Sequence, residues 1–568
     1  MNFSTSFQAK QYYLAILVAI YLAAVYVALI VQIDNTNLGT TNGLWKSPNV
    51  AAWENGTGTP ADDGELIYLP TYGYLSRLIP DGWVQYGTHS AVVVFRKMAI
   101  WNGIFGGIAS GLVFFMAYRF TQSAIASLVI CFVHASAGFV LVNCLNSEDI
   151  IPGYTFFLAA SASLFEYVAS RRLFWIFLSG SFLAMATLLH WSLMGPGALA
   201  LGLMLCLMTL KEPRQWRALA LFAVTFLGVI QAVLLAGLVF GRYVPLPQII
   251  YPGKLSAIGG WAGFHAEKVI YAAVGIGNYF SGANNLGDYH VAFSNATILR
   301  EMLASWIFGV VTLAGGAWAP FDQRVPANVK LLAAFAWALF LVGEIPDLYG
   351  QPQDPQMQIE PMFATIAGLI ILVCCLAVRL RRQVSRVMLA VLLAAGVSNA
   401  AWNLHQMEAT RGSDSRAIAV TEQLAELFPP ANTVMVWHGF EGETTWQYII
   451  TFRGDSPAFL SRSVHLASAF TNHAGISGEA AAVLMKNRID QALARGDRVV
   501  AGALWTQTRS EFINSLTTVT SGENAAAYDD GLRGVYDLGR RWQTDAGPFV
   551  ELLKKGTRTP AGVSSAAE

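Results

Sequence analysis

Two acidic side chains stand side by side in Asn146-Ser147-Glu148-Asp149-Ile150-Ile151-Pro152, a short polar break between two long apolar runs. Carboxylates at a membrane edge cost desolvation unless a cation or a reacting group uses them. Glu148 and Asp149 suit a catalytic edge that orients a hydroxyl substrate or holds a divalent cation through hard oxygen ligands. The plain alternative is a pair of solvated acids in a tight turn, with Asp149 close to a helix N-terminus. Asp34 is the first ionisable residue after the first apolar run, in Val31-Gln-Ile-Asp34-Asn-Thr-Asn37. It either marks the water interface or serves as a general base. His190, followed by Trp191, stands where an apolar run ends, as an interfacial anchor or as a substrate contact.

A second set of residues is cationic. Arg242, Lys254, Lys268 and Arg300 fall in the long connection 240–301, and a lipid phosphate is their natural partner. Gln351-Pro-Gln-Asp354-Pro-Gln-Met-Gln358-Ile-Glu360 is dense in amides beside acids, a mixture of donors and acceptors that suits sugar hydroxyls. There is no Gly-rich phosphate loop, no His/Cys metal spacing and no Gly-x-Ser-x-Gly nucleophile turn. The five cysteines lie in or beside apolar runs, so no disulfide framework is implied.

The elements that must position these groups are membrane spans. The chain has 568 residues, 54% hydrophobic and 13% charged, against about 25% charged in soluble domains. Its net charge is zero, which gives no electrostatic footprint for nucleic acid. Runs of about 20 apolar residues predict about eleven spans, near 12–33, 97–118, 122–144, 153–170, 173–189, 192–210, 217–239, 302–319, 329–345, 361–379 and 386–403. Their connections alternate between short basic ones (Arg119, Arg171-Arg172, Lys211 to Arg217, Arg324 to Lys330, Arg379 to Arg382) and longer ones rich in aromatics and acids. By the positive-inside rule the N-terminus is cytoplasmic, and connections 34–96 and 240–301 and everything after 404 are extracytoplasmic. One blemish is Arg96-Lys97, which opens the second span on the outer side.

In connection 34–96, Leu66 to Ile79 has helix-like apolar spacing that predicts an amphipathic interfacial helix, and Ala266–Tyr279 predicts another. Residues 1–404 therefore form a transmembrane domain. Residues 412–560 alternate strand-like bursts (Thr433–Trp437, Arg498–Leu504, Gly534–Leu538) with helix-like stretches such as Glu479–Ala494, which predicts an extracytoplasmic α/β domain with a mainly parallel sheet. Residues 561–568 read as a loose tail.

An acid just past span one, an acidic pair between spans three and four, and a His at the outer end of span five resemble the polytopic lipid-linked glycosyltransferases of the GT-C superfold. Aminoarabinose transferases and protein O-mannosyltransferases belong to it. The resemblance covers residues 1 to about 400. It departs at Asp34, which Asn35 follows where the O-mannosyltransferases carry Asp-Glu. It implies a GT-C-like fold in the bacterial inner membrane and transfer of a sugar, with inversion, from a polyprenyl-phosphate donor to a glycan, lipid or protein acceptor. In that reading Asp34 is the general base. Glu148 and Asp149 orient the acceptor or hold a divalent cation, no cofactor being otherwise required. Arg242, Lys254 or Lys268 neutralise the departing phosphate. The competing readings are a transporter or flippase for a lipid-linked or polar solute, and a non-catalytic membrane assembly protein of a polysaccharide system.

Overall fold

The computed structural model describes residues 5–36, 68–84, 90–147, 150–212, 215–239, 321–349, 366–374, 382–429, 431–437, 463–471, 476–516 and 520–556, with single positions 50, 54, 268, 269, 272, 275, 279, 280 and 317. The chain divides into two compact units, one drawn from most of Met1–Gly412 and one built on Ser413–Glu568.

The first unit is helical: α1 (Thr5–Ile33), α2 (Tyr68–Ser76), α3 (Ser90–Thr121), α4 (Ala124–Ala135), α5 (Gly138–Leu145), α6 (Ile150–Ser170), α7 (Leu173–Leu189), α8 (Trp191–Lys211), α9 (Trp216–Val239), α10 (Ala327–Tyr349) and α11 (Arg382–Glu408). Among the described residues, four helices are long and apolar enough to cross a bilayer, beginning at Lys10, Val94, Trp216 and Arg386; α4 and α5 taken as one bent span make five. Leu173–Leu189, Gly197–Cys206 and Ala327–Gly343 are shorter apolar helices. The expected span 302–319, apart from position 317, and the ends of 361–379 lie outside the described residues.

Small residues set how α1 meets α3. A Cβ placed on Gly111 would lie 2.7 Å from Ala19 Cβ, and one on Gly107 would lie 2.6 Å from both the Ala19 carbonyl oxygen and Ala23 Cβ. On Gly103 it would meet Tyr26 and Ile30, and on Gly106 it would collide with Cys144 Sγ. The glycines at 103, 107 and 111 repeat every four residues, and those at 107 and 111 face the alanines of α1, so there the two backbones approach closely. The helices run antiparallel, so this ladder leads towards Arg96 on α3 and Asp34 past the end of α1.

The expected span 122–144 is instead two helices bent by 65° at Ser136-Ala137. Ala137 takes an extended conformation with ψ 137°, and the Ser136 carbonyl accepts from Asn403 Nδ2 at 2.9 Å and Asn399 Nδ2 at 3.3 Å, both on α11. A broken helix inside apolar surroundings persists only where its freed backbone groups find partners. Those partners come from a helix more than 250 residues away in sequence, which no hydropathy pattern registers. At the far end of α3, Arg119 pairs with Glu166 of α6 at 2.8 Å, and both side chains are buried.

The second unit is an α/β domain with α12 (Ser413–Leu427), β1 (Thr433–Trp437), β2 (Ser463–His465), α13 (Gly478–Ala494), β3 (Arg498–Ala501), α14 (Arg509–Leu516), α15 (Gly522–Leu532), β4 (Asp537–Thr544) and β5 (Gly547–Leu553). The sheet order is β2-β1-β3-β5-β4. Only β2, β1 and β3 are parallel; β5 runs antiparallel to both β3 and β4. The sheet is therefore mixed, not mainly parallel as expected. The cause is local. The third burst is turn up to Tyr536, its strand starts at Asp537, and β4 returns through Asp545-Ala546 into β5 with Gly547 at φ 106°. A connection that short can join only antiparallel strands. Both faces of β1 are covered: Val434 and Val436 pack with Ile489 and Tyr528, while Met435 and Trp437 pack with Leu424 and Phe549. α13 starts one residue before the expected Glu479–Ala494, and its buried residues include Ala482, Ile489 and Ala492.

Candidate active site at the end of the first helix

α1 ends at Ile33, and Asp34 follows in the left-handed region at φ 53°, its N–H donating to the Ile30 carbonyl at 3.1 Å. A short polar side chain tolerates that conformation better than other non-glycine residues do. Three residues, Gly412, Ser147 and Arg96, fix the turn through four hydrogen bonds. The Ile33 carbonyl accepts from the Gly412 N–H at 2.9 Å, the Thr36 carbonyl accepts from the Ser147 N–H at 2.8 Å and from Ser147 Oγ at 3.2 Å, and Asp34 Oδ1 accepts from an Arg96 Nη at 2.8 Å. The Arg96 and Asp34 side chains are 9% and 18% exposed, so this charge-assisted pair is shielded from water on most sides.

The first turns of α3 hold more than Arg96. Lys97 Nζ donates to Glu54 at 2.6 Å and to Asp81 at 2.5 Å, and Lys97 is buried. Glu54 and Asp81 belong to the two limbs of connection 34–96. One turn further, Asn102 Nδ2 donates to the Asn146 carbonyl at 2.9 Å, and Tyr72 Oη donates to Asn102 Oδ1. Val50, Tyr72, Val94, Met98 and Leu189 share one apolar cluster. The beginning of α3 thus gathers the first connection, the Asn146-Ser147 break and the end of α7.

The sequence-predicted residues fall into three groups. Asp34 is in this assembly. His190 directly follows Leu189 of the shared cluster, its N–H donating to the Ala186 carbonyl at 2.9 Å at the junction of α7 and α8. Lys268 is helical and buried at 2% exposure, so it is not a freely solvated cation. Glu148, Asp149, Arg242, Lys254, Asp354 and Gln358 lie outside the described residues. For the acidic pair, the nearest described neighbours are Ser147, bonded to Thr36, and Ile150 at the start of α6. Among the described residues no group of three His, Cys, Asp or Glu side chains could hold a metal.

Sequence reasoning missed Arg96 and Lys97 as site residues, although the signal was present. They were the cations that broke the basic-inside alternation, and the structure gives each an acid partner in connection 34–96. Of the helix expected over 66–79, Tyr68–Ser76 is helical as α2, with Tyr72 buried and Tyr74 exposed, and the chain turns after Ser76.

No protein-family model matches the sequence, and no curated relative is found. Among solved structures, ArnT from Cupriavidus metallidurans bound to undecaprenyl phosphate superposes with a TM-score of 0.51 at 12% identity, covering 96% of this chain and 99% of that one. The apo state of the same protein aligns at a TM-score of 0.43 and 12% identity over 94% of this chain and 97% of that one. The chain has a GT-C-like fold.

Proposed function

We propose that this protein is an integral membrane glycosyltransferase that moves a sugar from a polyprenyl-phosphate donor to an acceptor hydroxyl on the extracytoplasmic face of the bacterial inner membrane. The observation that carries this reading is the near end-to-end fold similarity to a protein described as bound to undecaprenyl phosphate. A carboxylate held at the end of α1 adds local support. The reaction is a single displacement. Asp34 takes the proton of the acceptor hydroxyl as its oxygen attacks the anomeric carbon. The bond from that carbon to the phosphate oxygen breaks with its electron pair, the polyprenyl phosphate leaves, and the anomeric centre inverts.

Glu148 and Asp149 are the groups for orienting the acceptor, and their carboxylate oxygens would also suit a divalent cation. Arg242, Lys254 or Lys268 neutralise the charge that grows on the leaving phosphate, where a fixed cation counts most. His190, Asp354 and Gln358 are assigned here as sugar or acceptor contacts, on their side-chain donors and acceptors. The test is release of polyprenyl phosphate from aminoarabinosyl and mannosyl donors by the full chain in lipid vesicles, with Asp34→Asn as the chemical knockout. Turnover by wild type and not by Asp34→Asn supports the mechanism; an active Asp34→Asn removes Asp34 from it.

Among the described residues, the bent α4–α5 pair favours a transporter, because broken helices line transporter sites. In that case the same vesicles would move intact lipid-linked sugar across the bilayer without cleaving it.

A further inference from the structure

We propose that Arg96 is the positioning residue for Asp34: it holds the carboxylate in its reactive orientation and does not bind the donor phosphate. The inference rests on the transferase reading for its activity arm, and on geometry alone for the rest.

The geometry is specific. Asp34 lies one residue beyond the last turn of α1, where a side chain on an unsupported helix end samples several rotamers. Here the backbone on both sides is pinned, at Ile33 by Gly412 and at Thr36 by Ser147, and the remaining freedom is that of the carboxylate itself. Arg96 holds the carboxylate with a 2.8 Å contact from a side chain that is only 9% exposed. That guanidinium is placed by the α1–α3 packing, in which Gly111, Gly107 and Gly103 step along Ala15–Ala19, Ala19–Ala23 and Tyr26–Ile30. Continuing the antiparallel register brings Arg96 opposite Asp34. The pair is thus the last rung of a ladder whose spacing is set at Gly107 and Gly111 by backbone and Cβ atoms of α1 and at Gly103 by Tyr26 and Ile30.

Lys97 supplies a built-in control. Adjacent helix residues point about 100° apart, and Lys97 reaches Glu54 and Asp81 and not Asp34. Removing Lys97 releases the outer connection while leaving the Asp34 partner in place. A general loss of local order therefore has a different signature from loss of the Arg96 contact.

The experiment uses the full chain in lipid nanodiscs with two probes. Undecaprenyl phosphate alone reports the phosphate site, and its aminoarabinosyl and mannosyl derivatives report turnover. Arg96→Ala is expected to bind undecaprenyl phosphate within about twofold of wild type while kcat falls at least about 10-fold and KM holds, because misplaced groups lose rate before affinity. Arg96→Lys should recover part of the lost kcat. A loss of undecaprenyl phosphate affinity of about 10-fold or more in Arg96→Ala would instead make Arg96 a phosphate ligand and overturn the proposal, as would unchanged kcat. A third arm needs no turnover, so it decides even if wild type cleaves neither donor and the transferase reading fails. The drop in unfolding midpoint caused by Arg96→Ala should shrink to less than half in an Asp34→Asn background, since the two residues share one interaction. Equal drops in both backgrounds would show that Arg96 does not hold Asp34.

Discussion

The Ser147 N–H donates to the Thr36 carbonyl at 2.8 Å, joining residues 111 apart in sequence. Thr36 lies two residues past Asp34, and Ser147 immediately precedes Glu148. This bond, with the second donation from Ser147 Oγ at 3.2 Å, ties the end of α1 to the acidic break between α5 and α6. Ser147→Ala keeps the amide and loses only the hydroxyl, so it should cost roughly 0.5–1.5 kcal/mol of stability. Ser147→Pro removes the amide from a buried carbonyl and should cost clearly more and abolish sugar transfer. Thermal unfolding in detergent together with donor cleavage checks both.

Asp34→Asn should be well folded and catalytically dead. Asparagine adopts the left-handed region at least as readily as aspartate, so the turn at φ 53° survives. The lost base should lower kcat by about 10²- to 10⁴-fold. Asp34→Asn should still unfold in one cooperative transition, at a midpoint lowered by the loss of the charged partner of Arg96, and the catalytic loss measured below that midpoint separates chemistry from folding.

The Lys97 cluster predicts a ranking. Lys97 is almost fully buried, the Glu54 side chain is 16% exposed and the Asp81 side chain is 78% exposed. Lys97→Met strands a buried carboxylate and should cost roughly 3–5 kcal/mol. Asp81→Asn touches a solvated partner and should cost roughly 0–1 kcal/mol. Glu54→Gln belongs between them. An Asp81→Asn effect as large as that of Lys97→Met would mean that Asp81 is not screened by water.

Gly107→Val tests the packing that sets the site. Its Cβ would stand 2.6 Å from the Ala19 carbonyl oxygen, a backbone atom that cannot rotate away. α1 must shift, so both stability and donor cleavage should fall. Gly202→Ala, where a Cβ meets nothing within 4 Å, should leave the protein as stable as wild type or slightly more so. Equal behaviour of the two variants would rule out close α1–α3 packing.

His465 predicts an acid sensitivity in the C-terminal domain. Burial, helped by the nearby Arg488 charge, pushes its imidazole from 6.5 down to about 4. The folded state thus holds it neutral where the unfolded chain binds a proton. Stability from this residue is complete above pH 6.5 and is lost as pH falls towards 4. Unfolding of the full chain across that range should show the loss, and His465→Gln should flatten it.

Much of the helical architecture was legible because hydropathy and span length are local properties. The run 173–189 is α7 residue for residue, and β1 occupies the whole of Thr433–Trp437. The α/β character of the C-terminal part was readable for the same reason, and its sheet topology was not, because the antiparallel half depends on a hairpin two residues long. The bend at Ser136 escaped sequence reading, since its stabilising amides come from Asn399 and Asn403.

Asp34 could be singled out from sequence by its position after an apolar run, and Arg96-Lys97 could be noticed as a charge anomaly. Only tertiary structure made these one object. Residue type and spacing determine where a chain enters and leaves an apolar phase, because that is a partition of each segment taken alone. Which carboxylate meets which guanidinium depends on the register between two helices, and that register is set here by glycine and alanine contacts in α1 and α3, well away from either charge.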